Sequence, residues 1–231
     1  MHFAPRTVAF LCELLHPPQV PDPSAIQRVH NRLFEGGSPL YGSFAVTPEG
    51  AVLSNATPQP GAVSSVAFLQ DRFQFREELT GTTIEDFQAR LETLVPMVLV
   101  ERPIPIFTAQ VVTIRTLVNP GGYRDSRQFL RDRVFGFGEE LERFGRESSL
   151  YGTRFVFAPT AEEPHAFTLR IESFANDPRS LFLENIGSFG PTVPAQGLDS
   201  LGLGIRATYD FVLERALPFL DAFDDRESRE A

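Results

Sequence analysis

Two residue types are missing from this chain of 231 residues: it contains no tryptophan, and all 21 of its basic residues are arginine. The absence of lysine excludes every chemistry that needs an amine side chain. A lysine Schiff base, a pyridoxal phosphate anchor, a Walker-type phosphate loop and a kinase lysine are all ruled out. The sequence therefore excludes several large enzyme classes before any motif is considered.

Cysteine and long apolar runs are also scarce. The single cysteine, Cys12, cannot form an intramolecular disulfide, and its apolar neighbours predict a buried thiol in a strand. No apolar run approaches the roughly 18 residues that cross a bilayer, since Pro96 interrupts the densest stretch, 94–100. The first residues lack the pattern of a signal peptide. These features together predict a cytoplasmic protein with no membrane segment.

Positive charge is in deficit, because the formal net charge is −9 and neither half of the chain is basic. Nucleic-acid binding normally requires a basic patch or stripe, so a nucleic-acid partner is not expected. Hydrophobic residues make up 42% and charged residues 22% of the chain, which is typical of a folded globular protein.

The order of hydrophobic patterns predicts two similar halves. Residues 1–103 form a first β-α-β-β-β-α half, residues 104–223 form a second half within one continuous domain, and residues 224–231 form a charged tail. Strands are predicted over 7–15, 43–47, 51–55, 63–79 (one long strand or two short ones), 106–118, 150–158, 165–174 and 181–189. The predicted fold class is α+β, with a mainly antiparallel curved sheet and helices packed on one face.

Helix boundaries carry their own signals. Thr82 and Glu85 have the spacing of a capping box, and Asp125 with Ser126 caps a helix in the second half. Gly36 and Gly37 end the first helix. Further helical segments are predicted over 139–146 and 200–223.

No catalytic or metal-binding arrangement is recognisable. The four histidines lack the spacing of a zinc site, and no serine lies in a nucleophile elbow. The pairs Gly136/Gly138 and Gly202/Gly204 fit helix punctuation better than a phosphate loop. The paired acids, among them Glu77 and Glu78, are interpreted as solvated surface. The sequence therefore predicts no cofactor and no metal, and it favours a protein without enzymatic activity.

Arginine is locally enriched between residues 115 and 133. Three of these side chains are three and four residues apart, so they share one helix surface that could meet an anion or an acidic partner. An alternative interpretation is an exposed face paired with Glu139, Glu140 or Glu142. The candidate partner-binding or anion-binding residues are Arg115, Arg124, Arg127 and Arg131.

This succession of elements resembles a sporadically distributed family of prokaryotic proteins of unknown function. The resemblance is carried by the strand 8–15, the strand around 73–75 before the helix 82–95, and the segment 115–119. The central strand of that family typically reads R-x-G-L-R-Y-x-N, of which this chain keeps an arginine and Asn119. The resemblance implies the same architecture and assigns no activity.

Two functional hypotheses follow. The first is a non-enzymatic binding or assembly protein that self-associates or docks onto a protein partner. The chain contains 22 phenylalanines, and a partner would cover any phenylalanine-rich strand that its own fold leaves exposed. The second is an enzyme or carrier with a cavity between the sheet and the long helices, where Arg115, Arg154 and Arg170 orient a small anionic ligand.

Overall fold

The computed structural model describes residues 4–35, 37, 39–57 and 59–224. Gly36 of the predicted helix stop and residues 225–231 of the predicted tail lie outside the described residues. Within the described part, nine strands form one sheet. They are β1 (Arg6–Leu15), β2 (Ser43–Thr47), β3 (Gly50–Ser54), β4 (Val63–Phe68), β5 (Arg72–Glu78), β6 (Ala109–Val118), β7 (Gly152–Phe157), β8 (Ala166–Ser173) and β9 (Leu181–Phe189).

The helices follow the predicted order. They are α1 (Pro23–Glu35), α2 (Ile84–Glu101), α3 (Ser126–Phe129), α4 (Asp199–Phe211) and α5 (Leu217–Asp224). A π-helical segment, Leu130–Phe135, extends α3, and another, Val212–Ala216, joins α4 to α5. The predicted helical segment at 139–146 is a 3-10 helix, Gly138–Phe144. In the described ranges, no helix has the length and apolar character needed to cross a membrane.

The sheet order is β2-β3-β4-β5-β1-β6-β9-β8-β7, and all neighbouring strands are antiparallel. β1 and β6 lie side by side at the junction of the two predicted halves, and on each side of this junction the last strand of that half follows first. The segment 63–79, which the sequence left open, forms two strands. The first half therefore has one strand more than the second, and the predicted α+β fold is confirmed.

Strand alternation decides which face meets the helices. In β5, Phe73, Phe75 and Glu77 are buried, while Arg72 and Arg76 point to the opposite face. The same period of two runs through β1, β6, β8 and β9. Each fully buried Phe side chain on the helix side contributes about 1.5–3 kcal/mol to folding by leaving water.

Two helix features differ from the sequence prediction. The N-cap of α2 is Thr83, whose hydroxyl accepts a hydrogen bond from the Asp86 backbone, whereas Thr82 bonds to Glu77. Gly202 and Gly204 lie inside α4, so their interpretation as helix punctuation is wrong. A Cβ on Gly204 would lie 2.5 Å from Oε1 of Gln110, which shows how closely α4 approaches β6.

Candidate functional site

The sheet has a second face, which lies opposite the helices. Its residues alternate with the buried ones on every long strand, and most of them are half-buried by their own neighbours. In the described part of the chain no helix packs over this face. We call it the open face. On β5, β1, β6, β9, β8 and β7 it carries charged and polar side chains, with apolar residues among them on every one of these strands except β5.

Charged side chains from five strands of the open face, with Ala9 of β1 between two of them, form a row across six strands. The cross-strand register aligns Glu78 on β5, Ala9 on β1, Arg115 on β6, Glu184 on β9, Arg170 on β8 and Arg154 on β7. We call these six residues the charged row. Directly opposite residues in a sheet have side chains close enough to interact, so the row is an electrostatic unit.

Arg115 is the centre of the charged row. Its Nε donates to Oε2 of Glu184 at 2.7 Å, and its Nη1 donates to Oε2 of Glu78 at 3.3 Å. Glu78 also accepts from Nε of Arg76 at 3.0 Å. Arg115 was predicted as a binding residue, and the structure places it on the open face with both neighbouring carboxylates already engaged.

Arg154 ends the charged row with its charge unbalanced. It lies directly opposite Arg170, and like charges in that position repel each other. Arg170 has carboxylates nearby, since its Nη2 lies 3.5 Å from Oε1 of Glu184, and its guanidinium lies over the Phe182 ring. Arg154 is exposed, and no carboxylate in the described part of the chain pairs with it.

The prediction that three arginines line a cavity between the sheet and the helices is wrong. Arg115, Arg154 and Arg170 were expected to orient an anion between the sheet and the helices, but the register places all three on the opposite face. The space beneath the helices is filled by a continuous apolar core. The strand period forces this result, because these residues alternate with buried Ile114, Ile171 and Leu169.

The other three predicted arginines lie around α3. Asp125 caps this helix and also pairs with Arg127, with 2.6 Å between Nη2 and Oδ2. Arg131 pairs with Asp132 at 2.6 Å, and these contacts hold the pKa of Asp125 and of Asp132 below their usual values. Arg124 is exposed without a partner in the described ranges. The pairing residues are thus aspartates, not Glu139, Glu140 or Glu142.

A buried polar cluster on the helix side was missed by the sequence analysis. The Glu77 carboxylate is 2% exposed and accepts hydrogen bonds from Arg90 at 2.7 Å and from Ser64 at 2.8 Å. Asn55 donates to Ser64 in turn, and the Arg90 guanidinium lies over the Tyr41 ring. The interpretation of Glu77 as solvated surface is therefore wrong. Its position in phase with Phe73 and Phe75 was the available signal.

A second buried polar contact joins the end of β1 to the end of α2. His16 is buried against the Phe73 ring, and its Nδ1 donates to the Pro17 carbonyl at 2.9 Å. Arg102 is also buried and donates to Gln19 and to the Leu69 carbonyl. Burial, and then the nearby Arg102 charge, lower the pKa of His16, although the hydrogen bond to Pro17 opposes this shift.

Two surface clefts are present among the described residues. A wide cleft of about 1310 Å³ lies in the segment 131–151, lined by charged residues together with Phe137, Phe144 and Tyr151. A groove of about 190 Å³ lies between the start of β8 and α4, with Glu163, Asp210 and Glu214 in its lining. The acidic lining of the groove does not suit the anionic ligand that was predicted. No group of side chains in the described ranges has the arrangement of a metal site.

Comparison with known proteins places the chain in no family. No family model matches it. No curated protein matches it either. Among solved structures, the regulatory subunit of aspartate kinase from Thermus flavus is similar over 90% of this chain and 96% of that chain, with 12% identity and a TM-score of 0.22. A likeness at that TM-score carries no argument about function, and the resemblance to the prokaryotic family of unknown function stays a prediction.

Proposed function

We propose that this protein is a binding or assembly protein whose working surface is the open face. The observation that carries the proposal is the placement of all packed helices on one side of a nine-stranded sheet. The other side carries charged and polar side chains with apolar ones among them on β1, β6, β9 and β7, and no helix packs over it in the described part of the chain. Uncovered apolar surface of this kind is typical of protein interaction sites.

The composition of the open face supports a protein partner. Apolar side chains such as Leu11, Val111 and Ile186 lie between charged residues that pair with one another. An interface of this kind combines apolar contact with ion pairs that fix register. Of the four predicted site residues, this proposal uses Arg115. Arg124, Arg127 and Arg131 stay a separate prediction for an acidic partner.

Edge strand β7 extends the same surface. Its open-face residue Val156 is 69% exposed, and β7 has a partner strand on one side only in the described sheet. Natural proteins usually protect such edges with proline, lysine or a covering segment. An exposed apolar residue at this edge favours contact with another protein.

Site-specific photo-cross-linking tests the proposal, because a protein without lysine is poorly suited to amine-directed cross-linkers. A benzophenone side chain is introduced at Ile186 on the open face, and the matched control carries it at exposed Leu203 on α4. Irradiation is carried out on purified protein and in extract of the native host. We expect a defined adduct, with this chain or with another protein, from position 186 only.

Competition makes the cross-linking result specific. Unlabelled wild-type protein should suppress the adduct, whereas an Ile186→Glu chain should not suppress it. Equal labelling from positions 186 and 203, or no adduct from position 186, would contradict the proposed function.

A further inference from the structure

We propose that the open face binds the open face of a second copy of this chain, in a two-fold dimer whose axis runs between β6 and β9. This inference rests on the proposed function and deepens it by naming the partner. The charged row is the observation that points to a second copy, because its sequence of charges is complementary to itself when reversed.

The symmetry operation pairs strands in a defined way. A two-fold axis parallel to the strands, placed between β6 and β9, lays β6 over β9, β1 over β8 and β5 over β7 of the second copy. Arg115 then lies over Glu184 of the second copy, and Glu78 lies over Arg154 of the second copy. Each contact occurs twice, and Arg154 gains the carboxylate that it lacks within its own chain.

Neighbouring axis positions bring like charges together. An axis between β1 and β6 lays Glu78 over Glu184 of the second copy, and an axis along β6 lays Arg115 over itself. An axis between β9 and β8 lays Arg115 over Arg154. Like charges across an interface disfavour the wrong pairing, so the register between β6 and β9 is favoured.

The next row of the open face supplies the apolar contact. The register aligns Leu11, Thr113, Ile186, Thr168 and Val156 on successive strands from β1 to β7. The same axis lays Thr113 over Ile186 of the second copy and Leu11 over Thr168. It also covers Val156 with the aliphatic part of Arg76 from the second copy, which removes an exposed apolar side chain from water.

The area is sufficient for a specific but modest dimer. Six overlapping strands spaced about 4.8 Å apart and about 20 Å long cover roughly 600 Å² per copy, or about 1,200 Å² in total. Specific interfaces begin near 1,000–1,200 Å². Facing sheets cross at about 30°, which offsets the outermost strands by about 6 Å, within reach of Arg154 and Glu78 side chains.

Charge reversal tests the proposed register by sedimentation velocity over a concentration series. We expect the wild-type chain to dimerise, with an affinity that falls as salt is raised. Arg154→Glu alone and Glu78→Arg alone should each weaken the dimer by about tenfold or more, because each places two like-charge pairs in the interface. Arg179→Glu, which changes an exposed arginine outside the open face by the same charge, is the matched control and should dimerise as the wild type does.

A mixture of the two variants separates the interface from local effects. In a one-to-one mixture, the Arg154→Glu chain and the Glu78→Arg chain present opposite charges to each other at both contacts, so a heterodimer should form. The double variant in one chain should also recover. This readout is independent of folding damage at Glu78, since a misfolded chain would not be rescued by its partner.

The outcomes distinguish this inference from the proposed function. A wild-type chain that stays monomeric, or a mixture that associates no better than the single variants, would overturn the dimer. If the cross-linker at Ile186 still captures a different protein that wild-type chain displaces, the proposed function stands without the dimer. No adduct from Ile186 overturns both.

Discussion

Glu77 and Glu78 are adjacent in the chain but serve opposite faces of the sheet. Glu77 accepts hydrogen bonds from Arg90 and Ser64 beneath the helices. Glu78 pairs with Arg76 and Arg115 on the open face. Because side chains alternate along the strand, the Glu77 carboxylate lies in the core and the Glu78 carboxylate lies at the proposed interface. A separate prediction can be made for each.

Removing the partner of the buried carboxylate should strongly destabilise the protein. Arg90→Met leaves Glu77 charged and buried without its cation, so we expect the free energy of unfolding to fall by about 3 kcal/mol. The double variant Glu77→Gln with Arg90→Met should recover part of that loss. Urea denaturation measures both, with Arg206→Met as a control that breaks an exposed ion pair with Glu85 and should change little. Equal stability of the Arg90 and Arg206 variants would contradict a role for this cluster.

Acidification should destabilise the protein through His16. Burial lowers the pKa of His16 in the folded state, so the unfolded state binds more protons below the ordinary value of about 6.5. Stability from neutral His16 is present above pH 6.5 and is lost as the pH falls through the lower folded-state pKa. His16→Asn, which keeps a donor for Pro17, should flatten the dependence below about pH 6.5. Thermal melts across this range provide the measurement, and parallel curves for the two proteins would argue against it.

Two glycines of α4 should respond differently to alanine. At Gly204 the added Cβ meets the amide end of Gln110, which is buried and held by a hydrogen bond to the Leu201 carbonyl. We expect Gly204→Ala to cost about 1–3 kcal/mol through overpacking. At Gly202 the Cβ meets the flexible ends of Glu92 and Gln88, which can move away. Gly202→Ala should therefore leave the free energy of unfolding unchanged or raise it by up to about 1 kcal/mol, because alanine has the higher helix propensity. Chemical denaturation of the two variants side by side checks this order, and equal losses would refute it.

Cys12 should be unreactive in the folded protein. The predicted buried thiol is confirmed, since Cys12 is fully buried, and this burial raises its pKa to about 12. Because the thiolate is the reactive form, labelling by a disulfide reagent should proceed only through unfolding. The labelling rate should therefore increase with urea in step with the unfolding transition. Fast labelling in native buffer would show that this strand opens locally.

The sequence predicted the fold class because its strands and helices carry clear periods of two and 3.6. The burial of Cys12 and the N-cap of α3 at Asp125 were also predicted correctly. The sequence analysis missed Glu77, because a pair of adjacent acids was taken for surface although Glu77 continues the phase of Phe73 and Phe75. The glycines of α4 were misinterpreted because their role is a close approach to residues distant in the chain, Gly202 to Gln88 and Glu92 of α2 and Gly204 to Gln110 of β6. Local patterns do not contain such tertiary contacts.

The candidate surface could be predicted only in outline. Phenylalanine-rich strands were expected to need a partner, but most of their phenylalanines, among them Phe10, Phe73 and Phe75, pack beneath the helices. Arg115 was selected from a local excess of arginine. The charged row itself joins residues from six strands, so its composition depends on sheet order and register. Arg154 was named from the sequence as a residue of an internal cavity, and its role in the row emerges only once Arg170 is placed opposite it and no carboxylate is found beside it in the described part of the chain.

The most direct test of the open face as the binding surface is the sedimentation behaviour of the wild-type chain beside Ile186→Glu and Leu203→Glu. Both substitutions add one negative charge to an apolar position, but only Ile186 lies on the open face. We expect wild type and Leu203→Glu to associate with the same concentration dependence and Ile186→Glu to be monomeric at every concentration. Association of Ile186→Glu as strong as that of the wild type would contradict the assignment of the open face as the binding surface.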